Sequence, residues 1–326
     1  MRKIKKKKKR LPKNFKDLIE LNHIDEIKEL YEEYDINARG GYSKESALGF
    51  YKISDELVLW LVEAGADINA KDEYQRTPLH SQARSRVGNI NLFIKLGADI
   101  EALDYSKETP LHIAANSFNV RTLNDLINQG ANIYAENNEM LNPLASALKS
   151  CRNIDIVEMN KIAEMLIKAG TEITDEMKKT VKKIGENFEF HKENFNKESV
   201  PKTVEALNNL YLIFDVEPVE ARKIHDGVSL IKVTSKTWKE QYNELWDLLI
   251  PSQGPAKTVQ GEVIRITGKI SYEIINNGRM NWDKEFKKIA EVLLEYFKKG
   301  KALSDNLLEE CVTLVNDSSF AVQFYT

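Results

Sequence analysis

Thr77-Pro78-Leu79-His80 is the stretch that decides the fold, because the same four residues return 32 positions later as Thr109-Pro110-Leu111-His112. Each copy is followed by a run of glycine, alanine, an acid or amide, and isoleucine, at Gly97–Ile100 and at Gly130–Ile133. A fixed period of about 33 residues predicts a repeat architecture in which each unit stacks on the next.

The residue types in each copy predict a helix with a defined start and stop. The threonine can cap the helix, because its side chain accepts a hydrogen bond from a backbone N–H that has no partner inside the helix. The proline suits the first helical position, where no N–H is needed. The later glycine, Gly97 or Gly130, can adopt the left-handed conformation that ends a following second helix.

The motif and its period resemble the ankyrin repeat. In that family the leucine of the motif lies in the core and the histidine bridges backbone groups of neighbouring repeats, so the resemblance implies these roles here. Less regular copies surround the two clear ones, namely Ser46–Gly49 with Gly65–Ala70, Asn142–Ala145 with Ala169–Ile173, and a capping repeat at Asn14–Asn37. We therefore expect an ankyrin solenoid of about five repeats over residues 13–174.

Composition is that of an ordinary soluble protein, with 42% hydrophobic and 30% charged residues among 326. No apolar run approaches the length of a membrane span, and no apolar stretch follows the basic N-terminus as it would in a secretory signal. The two cysteines, Cys151 and Cys311, have no metal-binding spacing. We expect a cytoplasmic protein with reduced thiols and with no cofactor or metal.

Charge is concentrated at the N-terminus. Residues 1–10 carry eight cationic side chains, so the net charge of −3 becomes −11 for residues 11–326. An acidic body argues against nucleic-acid binding, apart from weak, salt-dependent contact by the Lys-rich tail. We expect residues 1–12 to form a disordered, solvated basic tail.

The sequence changes character after the repeats. Residues 175–216 have two amphipathic patterns that predict helices capping the array, and residues 217–326 predict a separate helical domain. Asp226-Gly227 lies between two β-prone runs and predicts one β-hairpin there. The expected fold class is therefore all-α in the main, with at most this hairpin.

The C-terminal domain also contains a candidate polar site. Glu262 and Arg265 are three residues apart and can pair on one helix face, and Asp283 lies near the start of the next helix. The alternative interpretation is a capped helical bundle with an internal ion pair. This region resembles uncharacterised bacterial proteins, some encoded near secreted-toxin loci, which implies a bacterial origin and no particular activity.

Candidate partner-binding residues follow from the resemblance, because ankyrin proteins contact partners with their hairpin tips and inner helices. The matching positions are Tyr74, Gln75, Arg76, Tyr105, Lys107, Asn138 and Met140 at the tips, and Gln82, Arg84, Asn116 and Phe118 along the inner helices. Tyrosine and arginine dominate interface energetics more often than other residue types, so Tyr74, Arg76 and Tyr105 are the preferred anchors.

Three classes of function remain open. The first is an interaction protein that binds a protein partner, with a toxin-neutralising (immunity) or inhibitor role against a basic toxin as its specific form. The second is an enzyme or ligand-binding protein that uses the C-terminal polar site and recruits its target through the repeats. The sequence offers this second class no recognisable nucleotide-binding, metal-binding or nucleophile motif, and we predict no catalytic residue. The third is a host-directed effector or nuclear factor that uses the Lys-rich tail for targeting. We favour the first.

Overall fold

The computed structural model describes residues 6–277, 280, 284–298 and 304–316. The chain divides into two compact units, one formed by Met1–Phe188 with Asn196–Val219, the other by Glu189–Phe195 with Glu220–Thr326. Most of the described residues lie in α-helices, in agreement with the mainly α-helical fold class predicted from the sequence.

Short helices, most of them in pairs, make up the first unit. In chain order they are α1 (Phe15–Glu20), α2 (Ile24–Leu30), α3 (Asp55–Glu63), α4 (Pro78–Arg84), α5 (Ile90–Lys95), α6 (Pro110–Asn116), α7 (Val120–Asn128), α8 (Pro143–Ser150), α9 (Ile156–Lys168), α10 (Asp175–His191) and α11 (Val200–Phe214). Helix α6 contacts α4 and α8, whereas α7 contacts α5 and α9. The pairs therefore stack in two layers, and the leucines of the motif, Leu79 and Leu111, are fully buried as the resemblance implied.

Each inner helix begins with the chemistry that the sequence predicted. Helices α4, α6 and α8 start at a proline, namely Pro78, Pro110 and Pro143. The Thr109 hydroxyl accepts a hydrogen bond from the backbone N–H of His112, and the Asn142 side chain accepts one from Ala145. These bonds satisfy N–H groups that have no partner within the helix. The predicted capping role of the threonine is thus confirmed for Thr109.

A glycine in the left-handed region follows each of the four outer helices α3, α5, α7 and α9. The φ angles are +92° at Gly65, +92° at Gly97, +85° at Gly130 and +115° at Gly170. Residues with a β-carbon adopt these angles only at a cost, which explains why glycine recurs with the period. The helix-ending role predicted for Gly97 and Gly130 is confirmed.

Asparagine side chains join successive glycine loops. The Asn69 side chain accepts a hydrogen bond of 2.8 Å from the backbone N–H of Asp99 and donates one of 3.1 Å to the carbonyl of Gly97. Asn37 makes the equivalent two bonds to the loop that begins at Gly65: it accepts from the N–H of Asp67 and donates to the carbonyl of Gly65. The loops are therefore held at a fixed spacing by side chains that recur with the period.

The motif histidines connect each inner helix to the hairpin of the next pair. His80 Nδ1 accepts a hydrogen bond from the Thr77 backbone N–H at 3.1 Å. Its protonated Nε2 therefore donates to the carbonyl of Glu108 at 3.0 Å. His112 makes the same contact with the carbonyl of Leu141 at 3.0 Å. The bridging role that the resemblance implied for these histidines is confirmed.

A small sheet closes the N-terminal end of the first unit. Strand β1 (Lys8–Arg10) runs parallel to β2 (Tyr34–Gly40), which runs antiparallel to β3 (Glu45–Ser46). The expectation of disorder over residues 1–12 is thus wrong for residues 8–11. These residues are ordered because the β1 backbone pairs with β2 and the Leu11 side chain is buried.

The second unit is a series of helices that contact one another in chain order. They are α12 (Trp238–Leu249), α13 (Val259–Ile275), α14 (Lys284–Phe297) and α15 (Asp305–Asn316). Helices α12 and α13 approach closely because Gly268 has no side chain, and a β-carbon there would overlap the ring of Trp246. The Tyr242 hydroxyl donates to the carbonyl of Ile264 at 3.0 Å, which fixes the same pair of helices.

The hairpin predicted at Asp226-Gly227 is wrong, since none of the described strands lies in this region. Asp226 Oδ1 accepts the backbone N–H groups of Val228 and Ser229 at 2.8 Å each, and the His225 N–H donates to the carbonyl of Leu248. These N–H groups are therefore engaged in a local turn and in contact with α12, not in pairing with a second strand.

The contact between α10 and α11 gives a prediction for Gly185. A β-carbon at Gly185 would overlap the Tyr211 hydroxyl. Alanine is about 1 kcal/mol better than glycine in an ordinary helix, yet we expect Gly185→Ala to lower the free energy of unfolding by about 1–3 kcal/mol through overpacking. Urea denaturation checks this. Tyr211→Phe removes the overlapping oxygen, so the double variant should lose less than the sum of the single variants. A Gly185→Ala protein as stable as the parent would contradict the packing described here.

The buried histidines give a prediction on pH dependence. Burial lowers the pKa of His80 and of His112 from the usual 6.5. The unfolded chain binds protons at these residues near pH 6.5, whereas the folded chain does so only at lower pH. The free energy of unfolding should therefore fall as the pH drops below about 6.5.

The matched variant for this test is His80→Gln with His112→Gln, because glutamine can still accept the capping N–H but does not titrate. Urea denaturation of both proteins at neutral and mildly acidic pH separates the histidine contribution from that of the carboxylates, which both proteins share. We expect a smaller loss of stability on acidification in the variant. The same loss in both proteins would mean that these histidines do not cause it.

Candidate protein-binding surface

Four hairpin turns share one backbone geometry, and each precedes an inner helix in the chain. Each has a residue in the left-handed region at the same position, namely Lys44, Gln75, Lys107 and Met140, with φ of +52°, +61°, +56° and +58°. In the second turn, Asp72 Oδ1 accepts the backbone N–H groups of Tyr74 and Arg76 at 2.8 and 2.9 Å. Asp104 and Asn137 do the same in the next two turns. All four turns therefore share one backbone geometry, and the last three also share the same side-chain hydrogen bonds.

Backbone hydrogen bonds join the hairpins to one another. The N–H of Glu73 donates to the carbonyl of Ser43 at 2.9 Å, and the N–H of Tyr105 donates to the carbonyl of Tyr74 at 3.0 Å. The last two hairpins are joined in the same way, by Asn138 and Ser106 at 2.8 Å. The four tips therefore form one continuous ridge.

Large side chains project from this ridge into solvent. We call Tyr42, Tyr74, Tyr105 and Met140 the tyrosine strip; their exposed fractions are 91%, 42%, 64% and 78%. The Arg76 guanidinium lies 4.7 Å from the centre of the Tyr74 ring, and a hydrogen bond with Tyr42 raises the pKa of Tyr74. The strip therefore presents neighbouring aromatic rings on a firmly held backbone.

Several side chains predicted from the sequence support this ridge. Arg76 is half-buried and pairs with Asp72 at 2.8 Å, and the Asp72 side chain is only 3% exposed. Asn138 Nδ2 donates to the carbonyl of Tyr105 at 2.9 Å. Lys107 is exposed at the third tip, whereas Gln75 is half-buried in the second.

Two predicted contact residues are wrong because their side chains are buried. Gln82 is 2% exposed, and its amide group faces the carbonyls of Leu48 and Phe50. Phe118 is 8% exposed and has a φ of +51°, so the turn after α6 directs its ring into the core. Both residues stabilise the array and are not available to a partner.

The other two inner-helix candidates lie at the surface. Arg84 is exposed, and Asn116 is half-buried with its Nδ2 donating to Glu108 Oε1 at 2.8 Å. Arg84 also lines a depression of about 460 Å³ on the inner face, together with Tyr42, Glu45 and Tyr51. Burial raises the pKa of Glu45, whose carboxyl lies beside Gly41 and Gly49. The depression extends the accessible surface from the ridge towards the inner helices.

Tyr42 and Tyr51 are the surface residues that sequence reasoning missed. The first repeat lacks the Thr-Pro pair, so its hairpin was not aligned with the others. Lys44 adopts the same left-handed turn as Gln75, 31 positions later, and aligning on this turn brings Tyr42 to the position of Glu73, beside Tyr74.

The polar site predicted in the second unit is in part an ion pair. Arg265 Nε donates to Glu262 Oε2 at 2.9 Å, Arg265 Nη2 contacts Glu262 Oε1, and the N–H of Ala256 donates to Glu262 Oε2. The hydrogen bond from Arg265 lowers the pKa of Glu262. Asp283 lies outside the described residues. The carboxylate of Glu262 is thus engaged by groups of its own chain.

The described residues offer few other groups for nucleophilic or metal-dependent chemistry. Burial raises the pKa of Cys151 to about 12, which keeps its thiol protonated. Within the described ranges, no cluster of three or more His, Cys, Asp or Glu side chains could hold a metal ion. In the same part of the chain, no helix has the length and apolar character that crossing a membrane requires.

Comparison with known proteins relates one stretch of the chain to a known family. No curated protein has a sequence that matches this chain. The model of the ankyrin repeat family matches residues 106–138, which begin within the third hairpin, contain the second copy of the motif and both helices of the α6–α7 pair, and end within the fourth hairpin. The chain is similar to the ankyrin repeat over this stretch, and the match supports an ankyrin-repeat protein.

Proposed function

We propose that the first unit is an array of five ankyrin repeats that binds a protein partner on the tyrosine strip. Ankyrin repeats are generally protein–protein interaction modules, and one repeat of this chain matches their family model. The observation that carries the proposal is the strip itself, in which exposed tyrosines stand on successive hairpins joined by backbone hydrogen bonds.

The physical support is aromatic area combined with rigidity. Tyrosine buries a large apolar surface with little loss of side-chain entropy and keeps a hydroxyl for hydrogen bonding. A surface that is already ordered loses less free energy on binding than a flexible loop does. We propose Tyr42, Tyr74 and Tyr105 as the main anchors.

The remaining tip and inner-face residues surround these anchors. Lys107, Asn138 and Arg84 are accessible beside the strip, and Met140 is its last member, so we propose that these four residues contact the partner around the tyrosine anchors. Arg76 holds the ring of Tyr74 and is bound to Asp72, so we assign it a supporting role.

The narrower hypothesis is that the partner is a basic toxin and that the protein neutralises it in the cytoplasm. Its support is charge, because residues 11–326 carry a net −11. Failure to bind or to protect against a toxin encoded beside it would contradict this hypothesis and leave the binding function intact.

An enzymatic or ligand-binding function at Glu262 and Arg265 has less support. Their charged groups are bonded to each other and to the Ala256 N–H, so no free carboxylate for acid–base chemistry is available from Glu262. We propose no catalytic residue.

The proposal predicts that Tyr42→Ala, Tyr74→Ala and Tyr105→Ala together abolish partner binding. Each tyrosine is exposed in the free protein, so stability should change little, whereas loss of two or three interface anchors typically weakens binding by several kcal/mol. The measurement is affinity capture from the native host with mass spectrometry, followed by titration of the captured protein against parent and variant.

The matched control replaces three exposed leucines outside the strip, namely Leu21, Leu59 and Leu212, with alanine. A partner lost in the tyrosine variant and retained in the leucine variant supports the strip. A stoichiometric partner that binds the tyrosine variant as well as the parent would contradict it.

A further inference from the structure

Residues 8–10 of the Lys-rich tail, which form β1, lie on an acidic part of the first unit. Residues 25–35 contain six acidic side chains and one lysine, and they lead directly into strand β2. We call the backbone of β2 together with Asp25, Glu29, Glu32, Glu33 and Asp35 the acidic edge. Strand β1 pairs with this edge in parallel orientation.

Backbone hydrogen bonds fix the segment at both ends. The N–H of Lys8 donates to the carbonyl of Glu33 at 2.9 Å, and the N–H of Leu11 donates to the carbonyl of Arg39 at 2.9 Å. The pairing between these points is irregular, since Lys8 faces Tyr34 while Arg10 faces Arg39. Such bonds require only an extended chain and are independent of side-chain identity.

Side-chain contacts select a basic segment. Lys8 Nζ lies 2.6 Å from Glu33 Oε2 and 4.9 Å from the centre of the Tyr34 ring. Lys7 Nζ donates to the carbonyl of Tyr31 at 2.9 Å. Four carboxylates of the acidic edge form no ion pair with any described residue: Asp25, Glu29, Glu32 and Asp35. The edge therefore carries more negative charge than β1 neutralises.

Side-chain contacts hold this segment only weakly, with the exception of the buried Leu11. All three residues of β1 are exposed, and an ion pair exposed to solvent contributes little to stability. The Leu11 side chain is buried close to the backbone of Gly40, so the core contact of this segment is made outside β1. Another basic chain can therefore replace β1 without disturbing the core.

We propose that the acidic edge is a binding site for a basic, extended segment of a partner protein, which adds to β2 by strand pairing, and that residues 6–10 occupy this site in cis as an intramolecular competitor. The site is separate from the tyrosine strip and does not depend on the function proposed for the strip. It also gives the Lys-rich segment a role within its own molecule.

The test uses a fluorescently labelled peptide of residues 1–12 and the chain that lacks residues 1–10. Anisotropy titration at about 50 mM salt should show binding to the shortened chain that weakens as salt is raised, because exposed charges are screened. A short tether gives β1 a local concentration in the millimolar range, so a peptide with a Kd of about 100 µM should bind the intact chain about tenfold more weakly.

Two altered peptides separate strand pairing from simple charge attraction. Lys8→Pro and Lys8→Ala remove the same charge, but only proline also removes the N–H that donates to Glu33. We expect the proline peptide to bind several-fold more weakly than the alanine peptide. Equal affinities would overturn the proposed mode of binding.

Acidic-edge variants locate the site. Glu29→Gln, Glu32→Gln and Glu33→Gln together in the shortened chain should weaken peptide binding at least tenfold, since about 1.4 kcal/mol corresponds to that factor. The control changes three exposed glutamates elsewhere, Glu136, Glu172 and Glu186, and so alters net charge equally. Equal weakening by both sets would overturn the site.

An intact-chain variant covers the case in which the shortened chain does not fold. Lys8→Pro in the full chain should loosen β1 and so raise the affinity for the unaltered peptide above that of the parent. Unchanged affinity would overturn the competition in cis. If the full chain were a dimer and the peptide dissociated it, β1 would be bound to a second copy of the chain. That result would also overturn the competition in cis. Changing the tyrosine strip should leave peptide affinity unchanged, so failure here is distinguishable from failure of the strip.

Discussion

The carbonyl groups of Glu108 and Leu141 are the points on which the array depends. Each lies at the base of a hairpin and accepts a hydrogen bond from a buried histidine of the preceding helix pair. A buried N–H left without an acceptor would cost about 1–3 kcal/mol, so the histidines fix where the next hairpin begins. The hairpins then pair with one another through their own backbones. The position of every tyrosine in the strip follows from these two sets of bonds.

The sequence was sufficient to predict the features that arise within a few residues. A threonine cap, a proline start and a left-handed glycine are each determined by local backbone chemistry, and they recur with the period. It was insufficient where distant segments meet. The pairing of β1 with β2 depends on residues about 25 positions apart, and a run of lysines gives no indication of strand pairing on its own. The prediction of a hairpin at Asp226-Gly227 failed for a related reason, since the N–H of the neighbouring His225 donates to the carbonyl of Leu248 in α12.

The candidate surface was predicted in part, and the errors have specific causes. The exposure of Tyr74, Tyr105 and Met140 could be predicted because the motif fixes the distance from the helix start to the hairpin tip. Gln82 was misassigned because spacing along a short helix does not reveal which side chains turn into the stack, and Phe118 because the left-handed turn after α6 directs its ring into the core. Tyr42 was missed because its repeat has Ser46-Ala47 in place of Thr-Pro, although its hairpin keeps the same turn.

The two proposed surfaces differ in the forces available to them. Near the tyrosine strip, Lys44 pairs with Glu73 and Arg76 with Asp72, and the exposed Lys107 and Arg84 beside the strip are positive. Binding there must rely on aromatic burial, which salt affects little. Negative charge is instead concentrated at the acidic edge, where four carboxylates form no ion pair with a residue that the structure describes. The net charge of the chain is therefore an argument for a basic ligand at the acidic edge and not at the strip. A toxin recruited by charge would meet the acidic edge first, and salt dependence would reveal which surface holds it.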